Sequence, residues 1–329
     1  MKQEEIFEGT LKRYNLLKKK DKIILGVSGG PDSVFMLYQF ARIKKNYKLS
    51  LVCAHFNHSL RKEADREEEF IENLCRNLGI KCISEKKDVK AFLKGDSLEQ
   101  TARNLRFDFL LKCCRQTKIK KIALAHHKDD LIETVLMRVI KGAGLRGLRG
   151  FLPKTKFRSA TVIRPLIDMQ KKEVINWLKS NKASYCIDKS NFEEKFLRNR
   201  IRLKLLPELA ELNPNIVDSL SNLARNASLD YEYIYSQALG EFLWLKRKET
   251  SNGLYLDLEG LKKMPQALFN NVIRIAIEQV KGNTRKIEAR HLDEIRDLVL
   301  HRRQASIVDL PDVLIKKEAK AIFIQSLIL

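Results

Sequence analysis

None of the six cysteines forms a Cys-x-x-Cys pair, and none stands beside a histidine at zinc-ligand spacing. Cys53, Cys75, Cys82, Cys113, Cys114 and Cys186 therefore read as reduced, mostly buried small apolar residues, which excludes a disulfide framework and a sequence-encoded zinc site. No uninterrupted apolar stretch approaches the roughly 18–20 residues that cross a bilayer, and the first ten residues lack a signal-peptide apolar region. No membrane association and a cytoplasmic location are expected. Internal repeats and low-complexity segments are also missing. Acidic residues are scarce beside basic ones, 41 against 63, for a formal charge of +22. The shortage is uneven: residues 1–215 hold 46 Lys+Arg and 26 Asp+Glu, whereas residues 216–329 hold 17 and 15. Such a surplus suits a polyanion, nucleic acid above all, met by the first two-thirds of the chain.

A chain of 329 residues with 44% hydrophobic composition buries a sizeable core and favours two domains. Apolar runs of strand length recur at residues 23–27, 49–54, 80–84 and 122–125, with amphipathic helical stretches such as 62–78 and 98–117 between them. That alternation predicts an α/β fold, a parallel sheet with helices on both faces. Ligands of such sheets lie beyond the carboxyl ends of the strands, here residues 28–33, 55–61 and 126–133. After about residue 150 the rhythm fades into a basic helical segment, 171–212, which Asn213-Pro214-Asn215 ends. Helical patterns at 216–248, 266–280 and 288–300 precede short strand-like runs near 306–308 and 321–325. The expectation is a catalytic domain over 1–215 with a basic helical tail, and a smaller, mainly helical domain over 216–329.

The first strand runs into Ser28-Gly29-Gly30-Pro31-Asp32-Ser33 and then into an apolar helix, a nucleotide-loop geometry that lacks the Walker lysine. Adjacent glycines let backbone N–H groups approach an anion, Pro31 suits a first helical turn, and the helix N-terminus adds partial positive charge. Ser28 and Ser33 add hydroxyl donors. The plainer alternative is an ordinary strand-to-helix turn capped by Asp32 or Ser33.

This hexapeptide resembles the pyrophosphate loop of the N-type ATP pyrophosphatases, which split ATP between its α and β phosphates. Further blocks narrow the likeness: His55-Phe56-Asn57-His58-Ser59-Leu60-Arg61, then His126-His127-Lys128-Asp129-Asp130-Leu131-Ile132-Glu133-Thr134 and Arg138. The series continues through residues 142–150, Arg164-Pro165-Leu166, Asp188-Lys189-Ser190-Asn191 and Arg198-Asn199-Arg200-Ile201-Arg202. Across residues 28–215 the order and content of these blocks resemble the tRNA(Ile)-lysidine synthetase family. Phe56 and Ser59 depart from the family's more usual aliphatic residue and glycine, and the chain resembles a short form without a second C-terminal domain.

The resemblance implies ATP and Mg²⁺ as cofactors, with free L-lysine and a tRNA(Ile) bearing a CAU anticodon as substrates. The reaction it implies converts the wobble cytidine to lysidine through an adenylated base. By the same resemblance Asp32, Asp130 and Glu133 are catalytic, and Ser28, Gly29, Gly30, Pro31, Asp32, Ser33, His55 and Arg103 bind ATP. Asp130 and Glu133, three apart at a helix start, receive the lysine ammonium, and Asp129 or Asp130 holds Mg²⁺. Arg106, Arg146, Arg149, Arg198, Arg200 and Arg202 contact tRNA. Residue chemistry alone leaves alternatives open. The acidic pair also suits helix-dipole compensation, and His55, His58, His126 and His127 serve equally as site residues or strand-end caps. Glu99, Arg103 and Arg106 also suit surface ion pairing on a helix opened by Asp96 or Ser97, and the arginines of 198–202 a solvated face. Oligomeric state is open, a homodimer included.

Overall fold

The computed structural model describes residues 2–58, 64–93, 97–186 and 196–327. The chain packs as two units, residues 1–225 and 226–329. In the first, α1 (Lys2–Arg13) precedes β1 (Lys22–Gly26), α2 (Pro31–Tyr47), β2 (Ser50–Asn57), α3 (Ala64–Asn77) and β3 (Lys81–Lys86). Then follow α4 (Leu98–Thr117), β4 (Lys121–Leu124), α5 (Lys128–Ile140), α6 (Leu145–Leu148), β5 (Lys154–Phe157), β6 (Ala160–Ile163) and α7 (Lys171–Ser180). The six-stranded sheet has the order β3-β2-β1-β4-β6-β5, parallel except for β5, which pairs antiparallel to β6 at one edge.

All four strand-length runs read from the sequence are strands of this sheet. The inner strands β1 and β4 read as apolar runs because both faces are covered, whereas β3, at the sheet edge, is only partly buried and its run carries Lys81 and Ser84. Ile23 and Leu25 of β1 join Phe35, Phe40, Ile71 and Val174, so α2, α3 and α7 share one face. Ile24, between them, joins Phe109, Leu110 and Cys113 of α4 on the other. The chain steps outward from β1 to β3 and then returns through α4 to place β4 on the far side of β1. This reversal leaves a crevice beyond the carboxyl ends of β1 and β4, where open α/β sheets hold their ligands.

Beyond α7 the chain forms α8 (Leu197–Arg200), a π-helical turn (Ile201–Leu205) and α9 (Leu206–Leu212). The Asn213-Pro214-Asn215 break separates α9 from the long α10 (Ile216–Leu245). The sequence places the domain boundary at that break, while by packing the first unit runs on to Arg225 within α10.

In the second unit β7 (Lys246–Glu249), β8 (Gly253–Asp257), β9 (Ile307–Leu310), β10 (Val313–Lys317) and β11 (Ala321–Ser326) form an antiparallel sheet ordered β7-β8-β11-β10-β9. Helices α11 (Leu258–Lys263), α12 (Gln266–Lys281) and α13 (Ala289–Leu300) complete it, with Phe269, Ile273, Ile295, Ile315 and Ile322 in a core of its own. The sequence reading found helices here and two strand-like runs, one at β9 and one at β11. It missed β7, β8 and β10. The Lys-Arg-Lys-Glu of β7 is an edge strand with largely exposed residues, so it shows no apolar alternation and reads as the tail of α10.

Candidate active site

The loop after β1 is built by local sequence. Gly29 has φ +91°, a backbone conformation that side chains resist, and its carbonyl accepts from the Cys186 amide at 2.9 Å. Gly30 stands extended ahead of α2 with Pro31 in the first turn. Ser33 Oγ donates to Gly30 O at 2.9 Å and accepts from the Ser28 amide at 3.1 Å, folding the loop on itself. A turn merely capped by Asp32 or Ser33 does not account for this, since α2 has no side-chain cap hydrogen bond.

Two connected hollows open from the loop. The inner one, of about 170 Å³, has apolar walls from Ala54, Phe56, Phe109, Leu110 and Leu124 and reaches Ser28, Gly30 and Asp32. The outer one, of about 520 Å³, shares Ser28, Gly30 and Asp32 and adds His127, Asp130, Lys171, Arg103, Arg198 and Arg202. Arg106 and His126 border both. The loop thus lies where an apolar chamber meets a charged one.

Around this cleft several buried polar atoms have no hydrogen-bond partner among the described residues: Asp32 Oδ1, His55 Nε2, Arg106 Nε and His126 Nδ1. His55 is fixed by its other nitrogen, whose N–H donates to Val27 O at 2.9 Å. Burial pushes the His126 imidazole down to about 3, with Arg164, Arg106 and Arg103 adding to the drop against the pull of Asp130. Arg106 is lowered to about 10 by burial and then by its neighbour Arg103. Buried polar groups left open in one concave place await a ligand.

His127 behaves oppositely. Burial disfavours its charge, but the Asp130, Asp129 and Asp32 carboxylates outweigh that and lift it to about 9. Its Nε2 lies 3.6 Å from Asp32 Oδ2 and 3.5 Å from Asp130 Oδ2, and its Nδ1 lies 3.4 Å from Asp129 Oδ2. An imidazolium therefore sits among three carboxylates. Burial raises Asp32, with His127 and Lys171 pulling the other way. Asp130 is lowered: burial alone raises it, and the charges of His127 and His126 outweigh that. Asp130 Oδ2 also accepts from the His127 amide at 3.1 Å, which ties it to the first turn of α5. Asp129 Oδ2 accepts from the Lys171 amide at 2.8 Å.

Glu133 is fully buried, and Arg202 grips it twice, Nε to Oε1 at 2.6 Å and Nη2 to Oε2 at 3.0 Å. Arg198 Nε adds an ion-pair contact at 3.1 Å and its Nη2 donates to Thr134 Oγ1 at 3.1 Å. Burial still raises the Glu133 carboxyl, against the pull of Arg202. The arginines of 198–202 thus split by position. Arg198 and Arg202 turn into the cleft, whereas Arg200 is exposed.

Of the residues singled out from sequence, the structure brings together 28–33, His55, Arg103, Arg106, Asp130, Arg198 and Arg202. Arg146 and Arg149 lie on and just after α6, outside the two hollows. Ser59, Leu60 and Arg61, Asp96, the side chain of Glu99, and the block 188–191 fall outside the described residues. Sequence reasoning missed Lys171 and the apolar wall of α4. Lys171 had a readable signal: a cation in the first turn of a helix opposes the dipole unless an anion faces it.

Fold and cleft define a nucleotide-binding protein of the doubly wound α/β class. The chain belongs to the PP-loop family: residues 3–209 match the family model described as PP-loop domain. Residues 256–322 match a second one, the TilS substrate binding domain. A tRNA(Ile)-lysidine synthase of Clostridioides difficile (strain 630) is 31% identical over 306 residues, 92% of this chain and 66% of that protein. One from Clostridium tetani (strain Massachusetts / E88) is 34% identical over 298 residues, 89% of this chain and 63% of that protein. The chain therefore spans slightly under two thirds of the length of these relatives. Among solved structures, the U34-tRNA thiolase NcsA from Methanococcus maripaludis is similar in fold, with TM-score 0.58 and 20% identity over 68% of this chain and 77% of that one.

Proposed function

We propose that this chain forms lysidine, using ATP to adenylate the wobble cytidine of a tRNA(Ile) with a CAU anticodon and free L-lysine to displace AMP. The carrying observation is the set of unpartnered buried polar atoms around a cleft whose apolar and charged chambers meet at the phosphate loop. The inner chamber suits an adenine ring, and the loop suits the phosphates. The outer chamber suits an unstacked cytosine and a lysine side chain. The sequence relatives named above carry the same activity in their names.

Two displacements follow in turn, each forming one bond and breaking another. Cytosine O2 attacks the α-phosphorus and pyrophosphate leaves; the lysine ε-amine then attacks C2, and AMP leaves with that oxygen. Ser28, Gly30 and Ser33 hold the departing pyrophosphate, while Arg103, Arg106 and Lys171 balance its charge. The amine enters as an ammonium, with an ordinary pKa of about 10.4, and must lose a proton before attack. Asp130, held ionised beside His127, binds the cation. Glu133 supports the amine once Arg202 turns from it to a phosphate.

Asp32, with its unpartnered buried oxygen, and Asp130 suit Mg²⁺ better than Asp129, which the Lys171 amide engages. When bound, the ion would offset phosphate charge. The test is incubation of the pure protein with ATP, radiolabelled lysine and transcribed tRNA(Ile) bearing CAU. Label in the tRNA with matching AMP is expected; AMP release without lysine incorporation overturns the reading.

A further inference from the structure

Three of the six cysteines meet between β2, β3 and α3. Cys53 on β2 and Cys82 on β3 are register partners on adjacent parallel strands, and Cys75 on the buried side of α3 lies over them. Their sulfur atoms all lie within 4.8 Å of one another. Cys53 and Cys75 are buried and Cys82 is partly exposed, so the trio has one side toward solvent.

We propose that Cys53, Cys75 and Cys82 form a binding site for one thiophilic metal ion of the zinc class, separate from the nucleotide chemistry. Zinc–sulfur bonds of about 2.3 Å in tetrahedral geometry set sulfur atoms about 3.8 Å apart, so the trio needs to contract by at most about 1 Å. Side-chain rotation of Cys82, the least confined of the three, accounts for most of that. Three soft thiolates select zinc, cadmium or copper(I) over the hard Mg²⁺ that phosphate chemistry uses. A polynuclear iron–sulfur cluster does not fit, because its ligands stand farther apart than these sulfurs. Ser84, two residues along β3 from Cys82, donates its Oγ to Glu72 Oε1 at 2.9 Å, and water or that carboxylate is the candidate fourth ligand. Metal binding displaces a proton from each thiol that is protonated and leaves no redox change to balance. Packing three small apolar residues together does not require their sulfurs to converge; Cys186, by contrast, lies against the Gly29 loop.

The test titrates the reduced full-length protein with Cd²⁺ and follows the ultraviolet thiolate-to-cadmium band. One ion per chain is expected, displaced by excess Zn²⁺, with Cys82, the partly exposed thiol of the trio, protected from a thiol reagent only when metal is bound. Cys82→Ser, at a partly exposed strand position that tolerates a hydroxyl, should weaken binding at least tenfold while circular dichroism stays unchanged. The double variant Cys113→Ser/Cys114→Ser should bind as the parent does. Absence of the band, or a Cys82→Ser protein that binds as tightly as the parent, overturns the proposal.

Discussion

At the scale of single residues, His127 and Glu133 are opposite cases of one problem, a charge taken out of water. His127 is held at about 9 against an ordinary value of 6.5, so its ion pairs stabilise the fold fully below pH 6.5 and fade as pH rises through 9. The parent protein should therefore lose stability across that window, and His127→Gln should flatten the loss; equal slopes in urea melts across the range would refute the assignment. Glu133→Gln leaves Arg202 and Arg198 facing a neutral amide. Because the Arg202 side chain is 24% exposed and can turn to water, the cost should fall near or below the roughly 3–5 kcal/mol of a fully buried pair. Lysine affinity should drop about tenfold or more, with adenylation less affected, if the residue supports the amine. A variant that loses adenylation first moves Glu133 to a purely supporting role. The loop 28–33 was legible in sequence because its hydrogen bonds are local. The Glu133–Arg202 clamp joins residues 69 apart, and no periodicity or spacing announces it.

At the scale of elements, the start of α5 and the turn that follows it set the cleft. Gly150 has φ +62°, and a methyl there would stand 2.4 Å from Leu131 Cδ1, on the first turns of α5. Gly150→Ala should cost about 2–4 kcal/mol, combining left-handed backbone strain with overpacking. Gly142 shares the backbone conformation, with φ +66°, but a methyl there meets nothing within 4 Å, so Gly142→Ala should cost only about 1–2 kcal/mol. Denaturant midpoints of the two variants check this; equal losses would mean that strain alone matters. In sequence this stretch stood as a block of the family resemblance, with Arg146 and Arg149 assigned to tRNA. That resemblance could not show that one glycine exists for packing, since the partner leucine lies on another element.

Across the whole molecule, legibility follows sheet type in part. Inner parallel strands leave apolar runs, and residues 23–27, 49–54 and 122–125 were found that way, as was the edge run 80–84, but β6, also parallel and largely buried, was missed with β5, each only four residues long. The antiparallel sheet of the second unit has polar edges and strands as short as four residues, such as β7 and β9, so half-buried patterns vanish into neighbouring helices. Charge divides the chain as well, because nearly all the basic surplus lies in residues 1–215. If tRNA is the polyanion, the salt dependence of binding should arise there, each phosphate contact contributing about 0.7–0.9 to the log–log slope. Replacing Arg146, Arg149 and Arg200 with Ala should flatten the slope by roughly two, at about one contact per arginine or slightly less. Arg198 and Arg202, clamped on Glu133, should change turnover more than slope. Replacing the exposed Lys248 and Lys286 of the second unit should leave the slope within error. Filter binding from low to moderate salt decides it: an unchanged slope after replacing Arg146, Arg149 and Arg200 would mean that these arginines do not meet tRNA phosphates.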